Sequence, residues 1–179
     1  MNMSASAAAL AFCVLPSLVH AQASANPVSD ALRSVEQRQA RNLVAAAEAF
    51  PAEKYGFKPT AGQMSVADVV VHLAEGNDQL CSALSGTAAP QRTAVTAATA
   101  RGQLISRLRE TFQFCETALA GVTDARLGDM VPFFGGRQVS RGNAVLATVA
   151  DWADHYSQLA IYLRLNDLLP PTARRQPGE

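Results

Sequence analysis

Apolar residues recur at helical spacing in four long stretches separated by breaks. A chain patterned this way buries its apolar surface by packing helix against helix. From Ser29 to Phe50 the stripe is Leu32, Val35, Leu43, Ala46 and Phe50, with Ser29 placed as cap and Pro51 as stop. A second helix is expected from Ser65 to about Leu84; Ser65 with Asp68 three residues on approximates a capping box, and Val66, Val70, Leu73 and Leu80 supply the packing face. A third, from about Ala94 to Ala120, carries Leu104, Ile105, Leu108, Phe112, Cys115 and Leu119. The fourth opens at Ser140 and ends near Asn166, ahead of Pro170 and Pro171. Hydrophobic residues make up 49% of the chain but aromatics only 6%, which fits closely packed helices better than a sandwich of β-branched strands. The expected fold is all-α, an up-down four-helix bundle.

The connections carry their own signals. Tyr55 and Phe57 belong to a loop, Tyr55 to Thr60, whose two aromatics are placed to plug the end of the bundle. Between Gly121 and Val139 helical periodicity is lost, and Val131 to Phe134 and Arg137 to Val139 flank Gly135-Gly136, a turn signal for a short hairpin that Pro132 confines to an edge. With 179 residues and 18.9 kDa the chain makes one domain, expected over 29–172, with a linker over 22–28 and a tail over 173–179.

Residues 1–21 differ from the rest. From Ala5 to Val19 the chain is apolar and uncharged, and Val19-His20-Ala21 ahead of Gln22 has the small-residue pattern of a signal-peptide cleavage site, although no Lys or Arg precedes the apolar run. The run is short of the roughly 20 residues that span a bilayer, so no stable membrane anchor is expected. Cys13 follows bulky Phe12, against lipid attachment. A periplasmic or secreted location is expected. In such an oxidising compartment Cys81 and Cys115, the two cysteines left, are a disulfide candidate; the alternative is a pair of buried thiols.

Equal numbers of basic and acidic residues give zero formal charge, so nucleic acid is not an expected partner. The sequence has no phosphate-cradling glycine loop, nucleophile elbow or CxxC pair, which argues against nucleotide enzymes, serine hydrolases and thioredoxin-like chemistry.

After removal of a leader containing His20, two histidines remain. Asp151 and His155, four apart, stack on one face of the last helix with Ala144, Ala147, Thr148, Gln158 and Tyr162, where small residues leave space beside the polar pair. On the second helix His72 shares a face with Asp68, Glu75, Gly76 and Gln79. Two imidazoles and a carboxylate can hold a divalent transition metal with positions open, though the donor set does not select among Zn, Ni, Mn and Fe. Without a metal, His155 is a core histidine bonded to Asp151 and His72 an exposed helix residue.

The run Asp154-His155-Tyr156-Ser157-Gln158-Leu159-Ala160-Ile161-Tyr162-Leu163-Arg164-Leu165-Asn166, with Leu169-Pro170-Pro171 after it and His72 to Asn77 on the second helix, resembles the DinB family of metal-dependent bundle proteins. Tyr55 to Thr60 and Gln63-Met64-Ser65 add to a likeness that covers about residues 32–172. The resemblance implies a DinB-like four-helix bundle, often a homodimer, with a metal held by a histidine of the second helix and an HxxxH pair on the last. His72 and His155 match two of these positions; Asp151 stands where the first histidine of HxxxH is usual. Asp can ligate these metals, with a harder donor and a changed affinity.

The resemblance further implies a small-molecule substrate and a hydrolase-like or thiol-transferase-like activity. In the hydrolytic version Glu75, the catalytic candidate, or Asp154 takes a proton from a water activated by the metal. In the other a small thiol occupies the open metal position as thiolate. The competing expectation is a metal-free binding or structural bundle whose site decayed with Asp151.

Overall fold

The computed structural model describes residues 24–174; the expected leader over 1–21, with Cys13 and His20, and the last five residues lie outside them. The expected four helices are present: α1 Pro27–Ala49, α2 Val66–Ser85, α3 Arg101–Leu119 and α4 Arg141–Arg164. A two-stranded antiparallel hairpin, β1 Met130–Phe133 and β2 Arg137–Ser140, stands before α4, pairing Met130 with Ser140 and Phe133 with Arg137. Its loop is Phe134-Gly135-Gly136, one residue longer than the glycine pair, and both glycines take positive φ (69° and 72°).

Two helix starts depart from expectation. Ser29 is not the cap of α1, which begins two residues earlier at Pro27, where a missing N–H costs nothing. Asp124, from the turn after α3, accepts from the Val28 and Ser29 amides (3.0 and 2.8 Å) and the Ser29 hydroxyl (2.7 Å). A carboxylate reaching across the bundle thus serves the free amides and favours their positive end. Helix α3 starts at Arg101 rather than near Ala94. There the Thr99 hydroxyl accepts from the Thr96 amide (2.9 Å) and the Thr96 hydroxyl from the Ala98 amide (3.3 Å), bonds that compete with the helix. For α2, the Ser65–Asp68 capping box is present in both directions, and Gly86 closes the helix in the left-handed region (φ 79°).

Contacts along the helices fix their directions. Arg33 on α1 donates to the Leu119 and Val122 carbonyls (3.2 and 3.1 Å), and Arg101 opens α3 by donating to the Phe50 carbonyl (2.9 Å), so α1 and α3 are antiparallel. A Cys81–Cys115 disulfide (Cα–Cα 5.2 Å), with Asn77 donating to Thr111 (3.2 Å) one turn earlier on both helices, makes α2 and α3 parallel. Arg141 at the start of α4 bonds the Leu84 carbonyl, and Tyr162 near its end donates to the Met64 carbonyl (3.1 Å), so α2 and α4 are antiparallel. The bundle's order of directions is therefore up-down-down-up, a refinement of the up-down expectation. Its parallel step is made by the segment 87–100, which returns along the bundle. Arg92 pins that segment to Asp78 (2.8 Å) and Glu110 (3.3 Å), and Arg107 holds the Thr93 carbonyl (2.8 Å).

Helices α1 and α2 each pack on both α3 and α4. The core between them is filled by leucines such as Leu43, Leu73, Leu108, Leu119, Leu159 and Leu163 with Phe50 and Trp152. Tyr55 is buried, its hydroxyl donating to the Ala47 carbonyl (2.8 Å), and Phe57 meets Tyr162 edge to face at 5.8 Å, so the two loop aromatics do close one end. Trp152 is fully buried because its indole N–H finds the Asn77 side-chain carbonyl at 2.7 Å. That bond locks the middle of α4 against the middle of α2, next to Asp151 on α4.

Candidate metal centre

His72 sits in the second turn of α2, and Asp151 and His155 lie one turn apart midway along α4. The antiparallel packing of α2 on α4 brings them together over Gly76, where a Cβ would sit 3.9 Å from Asp151 Oδ2. Asp151 Oδ1 is 3.5 Å from His155 Nε2 and 3.9 Å from His72 Nε2. The imidazole centroids are 4.8 Å apart, and one donor atom from each residue falls within 4.8 Å of the others. Exposure is graded, from a half-exposed His72 through Asp151 to a buried His155.

Behind His155 a chain of hydrogen bonds sets its tautomer. Its Nδ1 is 3.0 Å from Gln158 Oε1, the Gln158 amide donates to the Tyr162 hydroxyl (2.9 Å), and that hydroxyl donates to the Met64 carbonyl (3.1 Å). With its NH2 committed to Tyr162, Gln158 presents its carbonyl to His155, so Nδ1 carries the proton and the Nε2 lone pair faces Asp151. Two acceptors facing each other call for a cation between them. A proton is one: burial opposes charge on His155, but hydrogen bonds donated by its ring to Asp151 and Gln158 and the charges of Asp151 and Asp154 outweigh it, and the pKa is raised.

A divalent ion is the other. Donors each about 2.1 Å from a common ion lie at most about 4.2 Å apart. The two measured carboxylate–imidazole separations already meet that limit, and a small turn of the exposed His72 ring brings the third donor in. The residues fit a mononuclear site with two nitrogens, one oxygen and open positions on the exposed side.

All three ligand candidates expected from sequence thus converge. Glu75 is not one of the converging group: it is exposed and borders a small cleft of about 280 Å³ with Asp78, Arg107 and the segment 89–95. Asp154 is likewise exposed and acts on His155 by charge. The supporting roles of Gln158 and Tyr162, and the Asn77–Trp152 lock, were not foreseen. The spacing His155, Gln158, Tyr162 at three and four residues was the available signal.

Comparison with curated protein sequences gave no match. Among solved structures, the fold is similar to a DinB-like protein of Bacillus subtilis, at 20% identity with a TM-score of 0.64 over 82% of this chain and 99% of that one. It is also similar to a DinB family member of Exiguobacterium sibiricum, at 22% identity and a TM-score of 0.59 over 80% and 95%. A mycothiol-dependent maleylpyruvate isomerase matches at 10% identity and a TM-score of 0.59, over 73% of this chain and 60% of its own. Residues 36–159 match the DinB superfamily, and the chain belongs to that superfamily.

Proposed function

We propose that this protein binds one divalent transition metal through His72, Asp151 and His155 and uses it to act on a small molecule. The observation that carries this reading is the convergence of the three donors within 4.8 Å from two different helices, with the His155 tautomer set from behind. A divalent ion held there supplies Lewis-acid activation of a water or a thiol. The chain's own contribution is to aim Nε2 of His155 at the site by holding its Nδ1 against Gln158, to balance charge with Asp151, and to leave the side of His72 open to solvent.

Two reactions are compatible with that arrangement, metal-dependent hydrolysis and thiol transfer. The mycothiol dependence of a protein with a similar fold favours a thiol ligand. Export weighs against it, since small thiols are mainly cytoplasmic. For the hydrolytic reading the proton-acceptor candidate is Glu75, exposed three residues after His72 on α2, while Asp154 acts on His155 by charge. We also assign the protein to an oxidising compartment after removal of residues 1–21, a reading that the Cys81–Cys115 disulfide supports. Its partners are then a small molecule and, by family likeness, a second copy of itself. Among the described residues no helix is long and apolar enough to cross a membrane.

Metal titration followed by elemental analysis tests the proposal. One equivalent of Zn, Ni, Mn or Fe retained after dialysis is expected. Protein that stays metal-free when offered all four favours the decayed-site bundle.

A further inference from the structure

Further along α2 from the metal centre, the helix, the start of the returning segment at 86–89 and the hairpin line a cleft of about 670 Å³. That is the size that encloses most of a small ligand. Gln79, Leu80 and Ala83 of α2 form one wall, and Pro132, Phe133 and Phe134 the other. The two phenylalanine rings meet edge to face at 4.9 Å, and Phe134 is 44% exposed at the tip of the hairpin. Gln79 lies two helical turns beyond His72 on the same face of α2, about 10 Å along the axis. A molecule anchored at the metal therefore reaches the cleft with a chain of modest length.

The charge of the cleft narrows what it accepts. Among the described residues, Asp78 is the one charged residue lining it. One Asp78 oxygen is held by Arg92 at 2.8 Å, and the other, Oδ1, is buried without a partner. Because Asp78 is already paired with Arg92, the cleft offers no free charge to a ligand; burying a carboxylate there forfeits its hydration, whereas an apolar body is accepted.

We propose that this cleft binds the neutral, apolar part of a substrate whose donor group sits at the His72–Asp151–His155 site. The substrate class is then a small molecule with a metal-binding head and an uncharged aryl or alkyl tail. This rests on the metal reading of the site, and the experiment separates the two. Zinc-loaded protein is titrated calorimetrically with acetohydroxamate, with a hydroxamate bearing a phenyl group on a six-carbon chain, and with one of similar length ending in carboxylate. The phenyl tail is expected to tighten binding by about tenfold or more, and the carboxylate tail not at all. Ala83→Phe, which fills the cleft, removes that gain, and Phe134→Ala reduces it; acetohydroxamate binds all three proteins alike. A phenyl gain that is absent, that the carboxylate tail shares, or that survives both substitutions overturns the cleft while the metal reading stands. If no metal is retained, that reading fails instead, and the cleft is judged with metal-free protein and the neutral fluorophore N-phenyl-1-naphthylamine. Saturable binding that Ala83→Phe abolishes upholds the cleft, and no saturable binding overturns it.

Discussion

Nδ1 of His155 lies 3.0 Å from Oε1 of Gln158, and the Gln158 amide is committed on its far side to Tyr162. This pair decides which imidazole nitrogen faces the carboxylate of Asp151. Replacing Gln158 with Leu removes the acceptor and frees the ring to turn or change tautomer. Metal affinity is expected to fall by about 10- to 100-fold with little change in helix content, measured by competition with a chromophoric chelator and by circular dichroism. Unchanged affinity means the hydrogen bond does not set the ligand.

Cys81 and Cys115 join α2 to α3 across a sequence separation of 34 residues. Alanine at both positions is expected to lower unfolding free energy in urea by about 2 to 4 kcal/mol, chiefly by freeing the unfolded chain. Thiol titration of denatured, unreduced protein should find neither cysteine free.

Much of this architecture is written in local chemistry. Ser65 and Asp68 announce the start of α2, and Pro51 marks the break directly after α1, because caps and stops act within a few residues. Ser29 misled because its true partner, Asp124, is 95 residues away and no local pattern signals it. Thr96 and Thr99 shorten α3 by bonds that compete with a helix their alanine-rich surroundings otherwise favour. The parallel α2–α3 pair depends on 87–100 returning along the bundle, a tertiary choice fixed by Arg92. Of the site, the three candidate donors were legible through residue type and spacing, while the role of Gln158 required knowing which way the His155 ring turns.

Glu36 was not foreseen either, although it lies on the same helical stripe as Leu32 and Leu43. It is 2% exposed on the core side of α1. Burial, with the nearby charge of Glu116, pushes its carboxyl up to about 7, against the pull of Arg41. The folded state therefore binds the proton more tightly than the unfolded state. The stability this provides is full below about pH 4.5 and is lost as pH rises through about 7. The unfolding free energy difference between Glu36→Gln and wild type should move in the variant's favour by up to about 3 kcal/mol from pH 4 to pH 8. Urea titrations across that range measure it; a flat difference contradicts the burial argument.

The proposed export makes a separate prediction. The mature protein should begin at or near Gln22, as read by mass spectrometry of the N-terminus from a periplasmic or secreted fraction. An intact Met1 in a cytoplasmic fraction contradicts the assignment.

The central claim is that His72, Asp151 and His155 hold one ion together. The most direct measurement is metal stoichiometry and affinity, by elemental analysis and titration, for wild type, His72→Ala, Asp151→Ala, His155→Ala and Asp151→His. About one ion per wild-type chain is expected, with loss of most of it in each alanine variant while the helices persist. Asp151→His should regain the usual family triad with tighter zinc or nickel binding. Wild-type protein that binds no ion, or alanine variants that bind as wild type does, would contradict it.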